Sequence, residues 1–197
     1  IIYRDTDSPG YGTAIVGTVS GSSISFGTPV VFESSAVSME QGAVTFDSSN
    51  NKVVVAFRRI SDQKGYAQVL TISGTSISVG SATQFVNSLP TDVSTIFDSN
   101  SNKVVIFFSN NSSSSYGQYV VGTVSGSSIS FGSVGTFNAA NTRELAATFD
   151  SFNNKVIVVY RDNGNSEYGT ALVGSVSGTS ISFGSEVVFN TGTSNDM

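Results

Sequence analysis

Fourteen Asp and Glu side chains are the first candidates for acid–base chemistry in this 197-residue chain, which contains neither histidine nor cysteine. That absence excludes a Ser-His-Asp triad, a Cys-His pair, a histidine metal site and the usual general base near neutral pH. Glycoside cleavage needs only two carboxyl groups, roughly 5 to 9.5 Å apart, but the placement of the acids does not favour such a pair. Asp47, Asp98 and Asp150 recur in Phe46-Asp47-Ser48, Phe97-Asp98-Ser99 and Phe149-Asp150-Ser151, whereas a catalytic pair should be unique. The same three acids resemble fragments of calcium loops, yet the full Asp-x-Asp-x-Asp-Gly spacing is missing. The expectation is a protein that is not an enzyme and has no metal and no cofactor. Asn110-Asn111-Ser112 and Asn111-Ser112-Ser113 match the glycosylation acceptor pattern of eukaryotic secretory proteins.

Partners are bounded by charge. Charged residues make up 12% of the chain, the net charge is -5, and no basic stretch is present to neutralise phosphates. Nucleic acid and anionic membrane surfaces are therefore not expected partners. No apolar run approaches the roughly twenty residues of a bilayer span, so no membrane insertion is expected. Hydrophobic residues at 39% are enough for a folded body. Abundant Ser, Thr, Asn and Gly with little Lys point to an extracellular or virion surface. The opening Ile1-Ile2-Tyr3-Arg4 is neither a signal peptide nor an initiator Met and reads as a processed or excised piece.

The elements that must position these side chains come from an internal repeat. Ser20-Gly21, Ser73-Gly74, Ser125-Gly126 and Ser177-Gly178 are separated by 53, 52 and 52 residues, each followed by an Ile-Ser-Phe-Gly or Ile-Ser-Val-Gly tetrapeptide. Each copy contains four runs rich in Val, Ile, Phe, Tyr and Thr, with no competing helical period. In the second copy they are strand A over 43–46, B over 53–57, C over 67–72 and D over 76–85, where Gly80 marks a bulge or bend. The A-to-B turn over 47–52 starts with an Asp that can accept backbone hydrogen bonds and includes Asn that tolerates left-handed geometry. Ser-Gly supplies the C-to-D hairpin turn. Strand B is apolar on both faces in all three full copies and is expected to be the most buried.

This period and strand count predict an all-β fold, a β-propeller of four-stranded antiparallel blades that can belong to a larger ring, with a linear β-repeat array as the alternative. The whole chain, 1–197, reads as one repeat domain with blades over 1–33 (strands B to D), 43–85, 94–137 and 145–189. Residues 1–5 align with 158–162 and Met197 aligns with Leu145, so the chain is expected to begin inside a strand B and stop before another strand A. A window cut from a longer array is favoured over a four-bladed ring with a trimmed terminus.

With this strand order, the B-to-C and D-to-A connections share one end of every blade, and the copies differ most there. The B-to-C loops cover 5–10, 58–64, 109–115 and 161–167, and the D-to-A links cover 33–42, 86–93, 138–144 and 190–197. Candidate binding residues on that end are Asp5, Arg58, Arg59, Asp62, Asn110, Asn111, Arg143, Arg161, Asp162 and Asn163, with Asp7, Asp92 and Glu144 beside them. Tyr11, Tyr116 and Tyr168 precede Gly at the start of strand C, and Tyr66 is read as one place later in its copy. These rings can stack on sugars, although packing at a blade edge is the commoner role of such residues.

Val-Ser-Gly-Ser-Ser-Ile-Ser-Phe-Gly and Phe-Asp-Ser-x-x-Asn-Lys-Val resemble the Ser/Gly-rich propeller-type repeats of tail-fibre and cell-surface proteins from marine viruses and bacteria. The resemblance covers essentially the whole chain, implies repeat architecture, and carries no catalytic residues with it. The Trp-Asp and Gly-His marks of WD40 blades and the sialidase Asp-box are missing. The functional expectation is a non-enzymatic surface binding or adhesion module that recognises carbohydrate or a cell-surface receptor. A structural subunit of a virion fibre or extracellular filament, pairing with copies of itself or with fibre subunits, is the alternative, and a carboxylate glycosidase is the least favoured reading.

Overall fold

The computed structural model describes residues 1–39 and 43–194. Expectations for 40–42 and 195–197, which end two of the D-to-A links, lie outside the described residues. Among the described residues the chain is all β, with no helix, and its strands pair antiparallel throughout. The first repeat contributes β1 (Ile2–Asp5), β2 (Tyr11–Ala14), β3 (Gly17–Ser20) and β4 (Ser23–Phe26), and β5 (Val30–Ser38) leads out of it. The second contributes β6 (Val44–Asp47), β7 (Lys52–Arg59), β8 (Lys64–Ser73), β9 (Ser76–Val79) and β10 (Thr83–Val86). The third has β11 (Pro90–Asp98), β12 (Lys103–Asn110), β13 (Tyr116–Ser125) and β14 (Ser128–Phe131), followed by β15 (Gly135–Asp150). The fourth adds β16 (Lys155–Asp162), β17 (Tyr168–Ser177), β18 (Ser180–Phe183) and β19 (Val187–Thr193).

The A-to-B turns are one local device used three times. Asp47 accepts from the Ser49 and Asn50 amides, both at 3.0 Å, and Asp98 and Asp150 do the same for Asn100 and Ser101 and for Phe152 and Asn153. Asn51, Asn102 and Asn154 take the left-handed conformation that lets the chain reverse, with φ of 52°, 54° and 55°. The next residue is a lysine each time. Its Nζ crosses to a hydroxyl on strand C, Lys52 to Thr71, Lys103 to Thr123 and Lys155 to Ser175. At the C-to-D turn Gly21, Gly74, Gly126 and Gly178 have φ between 57° and 61°, a conformation that a Cβ would strain.

One feature follows the sequence reading and one differs from it. Strand D is broken: β9 and β10 both pair with β8, but Val79 faces Leu70 while Thr83 faces Ala67, so four steps on D oppose three on C. That is the bulge expected at Gly80. The D-to-A links, expected as loops, are mostly extended chain. β15 pairs with β13 at its start, where Gly135 faces Tyr119, and with β16 at its end, where Asp150 faces Lys155. One strand thus leaves the edge of one unit and becomes the first strand of the next, satisfying its backbone polar groups on both sides of the crossing. The polar run from Asn138 to Glu144 has no alternation to betray it.

The core lies between units. Val54, Ala56, Ala67, Val69 and Phe85 of the second unit meet Val104, Ile106, Phe108 and Val120 of the third. Ile96, Val105, Phe107, Tyr119 and Val121 of the third meet Val156, Val158, Tyr160 and Leu172 of the fourth. Ala14 and Phe32 of the first meet Val55, Phe57 and Leu70 of the second. Successive residues of strand B therefore serve opposite interfaces, which is why that strand is apolar on both faces. Each unit has a leading face toward its predecessor and a trailing face toward its successor.

Candidate functional site

Strands A and B run antiparallel, so the start of A and the end of B meet at one end of each sheet: Val37 faces Arg59, Thr91 faces Ser109, and Arg143 faces Arg161. Two polar clusters form at this end, and both cross a boundary between units.

In the first cluster Arg59, at the end of β7, reaches Glu33 on β5 at 2.5 Å. Asp62 is 3.9 Å from the same guanidinium. Arg59 also lies over the Tyr66 ring, 4.0 Å from its centroid, and the Tyr66 hydroxyl donates to Asp62 at 2.7 Å. The Lys64 amide donates to Asp62 at 3.1 Å, and Arg58 donates to Gln63 in the same loop. Burial pushes the Asp62 carboxyl up, but the Tyr66 hydroxyl, the Lys64 amide and the charge of Arg59 outweigh it and lower its pKa. Burial likewise opposes the charge on Arg59, and Glu33 outweighs it, so Arg59 is held more firmly protonated. The bond donated to Asp62 raises the Tyr66 phenol. A glycosidase acid needs a carboxyl held above its ordinary range. Asp62 is shifted the other way.

The second cluster joins the third and fourth units. Arg143 lies 3.9 Å from Asp92 and donates to the Ser115 hydroxyl at 3.4 Å, and Ser115 donates to Asn111 at 2.8 Å. The Glu144 amide donates to Asp92 at 3.3 Å. Asp92 and Glu144 occupy equivalent places at the start of strand A, and both are left-handed, with φ of 49° and 48°. The pairing of A with B slips at both, between Thr91 and Ser94 and between Arg143 and Ala146. Two left-handed acidic residues at bulges store strain of roughly 1 to 3 kcal/mol each, held by the surrounding sheet.

No family model matches the chain, and no curated protein matches it. The site therefore rests on its own geometry.

Of the ten candidate residues, Arg59 and Asp62 share the first cluster with Arg58 alongside, and Arg143 and Asn111 share the second. Asp5, Asn110 and Asp162 occupy one repeat position, and each folds its own loop by accepting from an amide two residues on, at Asp7, Ser112 and Gly164. Asn163 accepts from Arg161 Nε at 3.0 Å. Tyr66 corrects one alignment. Lys64 faces Arg59 where Tyr116 faces Asn110 and Tyr168 faces Asp162, so Tyr66 sits two places beyond the tyrosine position. Its ring stacks on Phe57, with centroids 6.1 Å apart, as well as under Arg59. Sequence reasoning missed Glu33 and Ser115. Glu33 is 26 residues from its arginine and Ser115 is 28 residues from its own, and nothing local links either pair.

Among the described residues no three His, Cys, Asp or Glu side chains group as metal ligands. Asp47, Asp98 and Asp150 spend their oxygens on the A-to-B turns at the opposite end, where Asn50, Ser101 and Asn153 side chains also bond them.

Proposed function

We propose that this chain is a run of propeller-type blades and works as a non-enzymatic surface binding or adhesion module, with its polar loop end meeting a glycan or a cell-surface receptor. The propeller reading is supported by the order in which each unit's trailing face covers the next unit's leading face, with the first strands of successive units side by side: the Ala147 amide donates to Ser94, 53 residues earlier. One observation carries the binding reading. The turn end repeats one hydrogen-bond set three times, whereas the loop-end clusters that cross between units differ, Arg59 with Glu33, Asp62 and Tyr66 in one and Arg143 with Asp92, Ser115 and Asn111 in the other. A scaffold that holds one end constant while the other changes chemistry unit by unit is the arrangement of a recognition surface. Two arginines and a fringe of amides and hydroxyls suit polar, hydroxyl-rich ligands such as sugars. An extracellular or virion surface is the setting this reading implies.

The test is a glycan array and a cell-binding assay with the chain displayed multivalently, so that weak sites add. Arg59→Ala and Arg143→Ala should each weaken binding about tenfold, while Asn153→Ala at the turn end should leave it unchanged. Absence of binding in multivalent display, or equal loss from both ends, would overturn the reading.

A further inference from the structure

One dipeptide at the loop end is reactive by itself. Asn163-Gly164 is the only Asn-Gly in the chain, and it lies in the loop between β16 and β17, directly after Asp162. A glycine after asparagine carries no Cβ to hinder its backbone nitrogen from approaching the asparagine side chain, so a five-membered succinimide ring can close. Packing holds the glycine in place, since a Cβ on Gly164 would lie 2.4 Å from the Ala140 Cβ of the link strand β15. Asn163 is tied to the same strand, its backbone amide donating to the Asn141 carbonyl at 2.9 Å.

Two neighbouring groups stand where ring closure needs them. The Gly164 N–H, whose nitrogen is the nucleophile, donates to Asp162 Oδ1 at 2.9 Å, so a carboxylate touches the proton that must leave. Arg161 Nε donates to Asn163 Oδ1 at 3.0 Å, which draws electrons from the carbon under attack and steadies the oxyanion that forms there. The third unit supplies the comparison. Its loop places Asn110, Asn111 and Ser112 at the same three positions, and the Ser112 amide donates to Asn110 Oδ1 at 3.1 Å. The turn is the same, but a neutral amide replaces the base and serine replaces the glycine. Hydroxyls of Ser115 and Thr91, in place of a guanidinium, meet the Asn111 side-chain oxygen.

We infer that Asn163 is a self-modifying site, which the fold converts to aspartate and isoaspartate. The Gly164 nitrogen bonds to Asn163 Cγ as its proton passes to Asp162. The tetrahedral centre then collapses, the Cγ–Nδ2 bond breaks, and Asp162 returns the proton so that ammonia leaves. Water opens the succinimide at one carbonyl to give aspartate or at the other to give isoaspartate, and only water is consumed. Either product replaces a neutral amide near Arg161 with a carboxylate and makes the net charge one unit more negative than -5. Isoaspartate also lengthens the main chain by a methylene beside Ala140. The loop end of the fourth unit therefore changes charge and shape with time, whether or not it binds a ligand.

Incubation of the whole folded chain in neutral buffer tests it, with peptide mapping by mass spectrometry and methylation by an isoaspartyl methyltransferase as readouts. Asn163 should convert at least about tenfold faster than Asn111. Asp162→Asn keeps the turn, as Asn110 does in the third unit, and should slow conversion at least about tenfold in the folded protein. In concentrated urea, where no carboxylate is held against Gly164, that variant and the wild type should convert alike. Arg161→Gln should also slow the folded protein, because Asn163 Oδ1 loses its donor. An Asn163 that stays intact overturns the inference. So does a folded Asp162→Asn or Arg161→Gln variant that converts as fast as the wild type, or an Asp162→Asn variant slowed equally in urea.

Discussion

The two ends of each strand pair are held by bonds of different reach. At the turn end, the carboxylates of Asp47, Asp98 and Asp150 bond groups two or three residues away. One side-chain bond, from Ser49 to Asn102, crosses to the next unit. At the loop end, Arg59 reaches Glu33 across 26 residues and the Glu144 amide reaches Asp92 across 52. The turn end therefore acts as a local folding instruction that any unit could carry alone. The Arg59–Glu33 and Arg143 contacts depend on two units being docked, so they report on the assembly of the array as well as on the fold of one unit.

The largest effect should come from the strand that both ends share. Phe107 is fully buried between the third and fourth units, its ring packed on Phe137 and Tyr119. Phe107→Asp would bury an unpaired charge and remove a large side chain, at a cost of about 4 kcal/mol or more, and denaturation should find the third and fourth units unfolding first. Next in size is Asp98→Ala. Asp98 is buried and accepts from the Asn100 and Ser101 amides and from the Ser101 hydroxyl at 2.7 Å. Its loss should cost about 1 to 2 kcal/mol in a denaturant titration and should leave the Arg59 and Arg143 clusters intact.

How much of this was legible follows the same division. Period, turns and buried strand were all readable, because Asp98, Asn102, Lys103 and Gly126 act within a few residues of themselves and strand B declares two buried faces by being apolar throughout. The all-β class followed from them. The extended D-to-A links were not readable, because Asn138 to Glu144 are strand only by virtue of lying between β13 and β16. The loop end was half readable: Arg59, Asp62 and Arg143 stood out as charged residues in variable stretches. Their partners did not, since Glu33 and Ser115 become neighbours only when one unit docks on the next.

Arg59→Ala should have a smaller effect on stability than Asp98→Ala. It leaves the buried Glu33 carboxylate with the Ser35 amide, at 2.9 Å, as its remaining hydrogen-bond partner. Because the Arg59 side chain is 23% exposed, water screens part of the pair and the loss should be about 1 kcal/mol. A double-mutant cycle with Glu33→Gln should recover most of it as coupling energy, while a cycle between Arg59 and Asp98 should give none.

The smallest effect, and the one that separates the two ends most cleanly, is in acid. Asp150 is lowered below its ordinary value of 3.8 by the Asn153 side chain first and then by the Asn153 and Phe152 amides, with no charged partner. At Asp62 burial opposes the same downward shift, and part of what overcomes it is the charge of Arg59 and Lys64. Both carboxyls bind protons more weakly folded than unfolded. Each therefore contributes stability above pH 3.8 that is lost as the pH falls through that value toward the lower folded pKa. Asp150→Asn and Asp62→Asn should each flatten the loss of stability on acidification. Raising the salt to about 1 M, where the screening length is about 3 Å, should shrink the Asp62 contribution and leave that of Asp150 in place. Melting curves of the two variants across acid pH at low and high salt measure this, and equal salt sensitivity would mean that the two ends are not held by different forces.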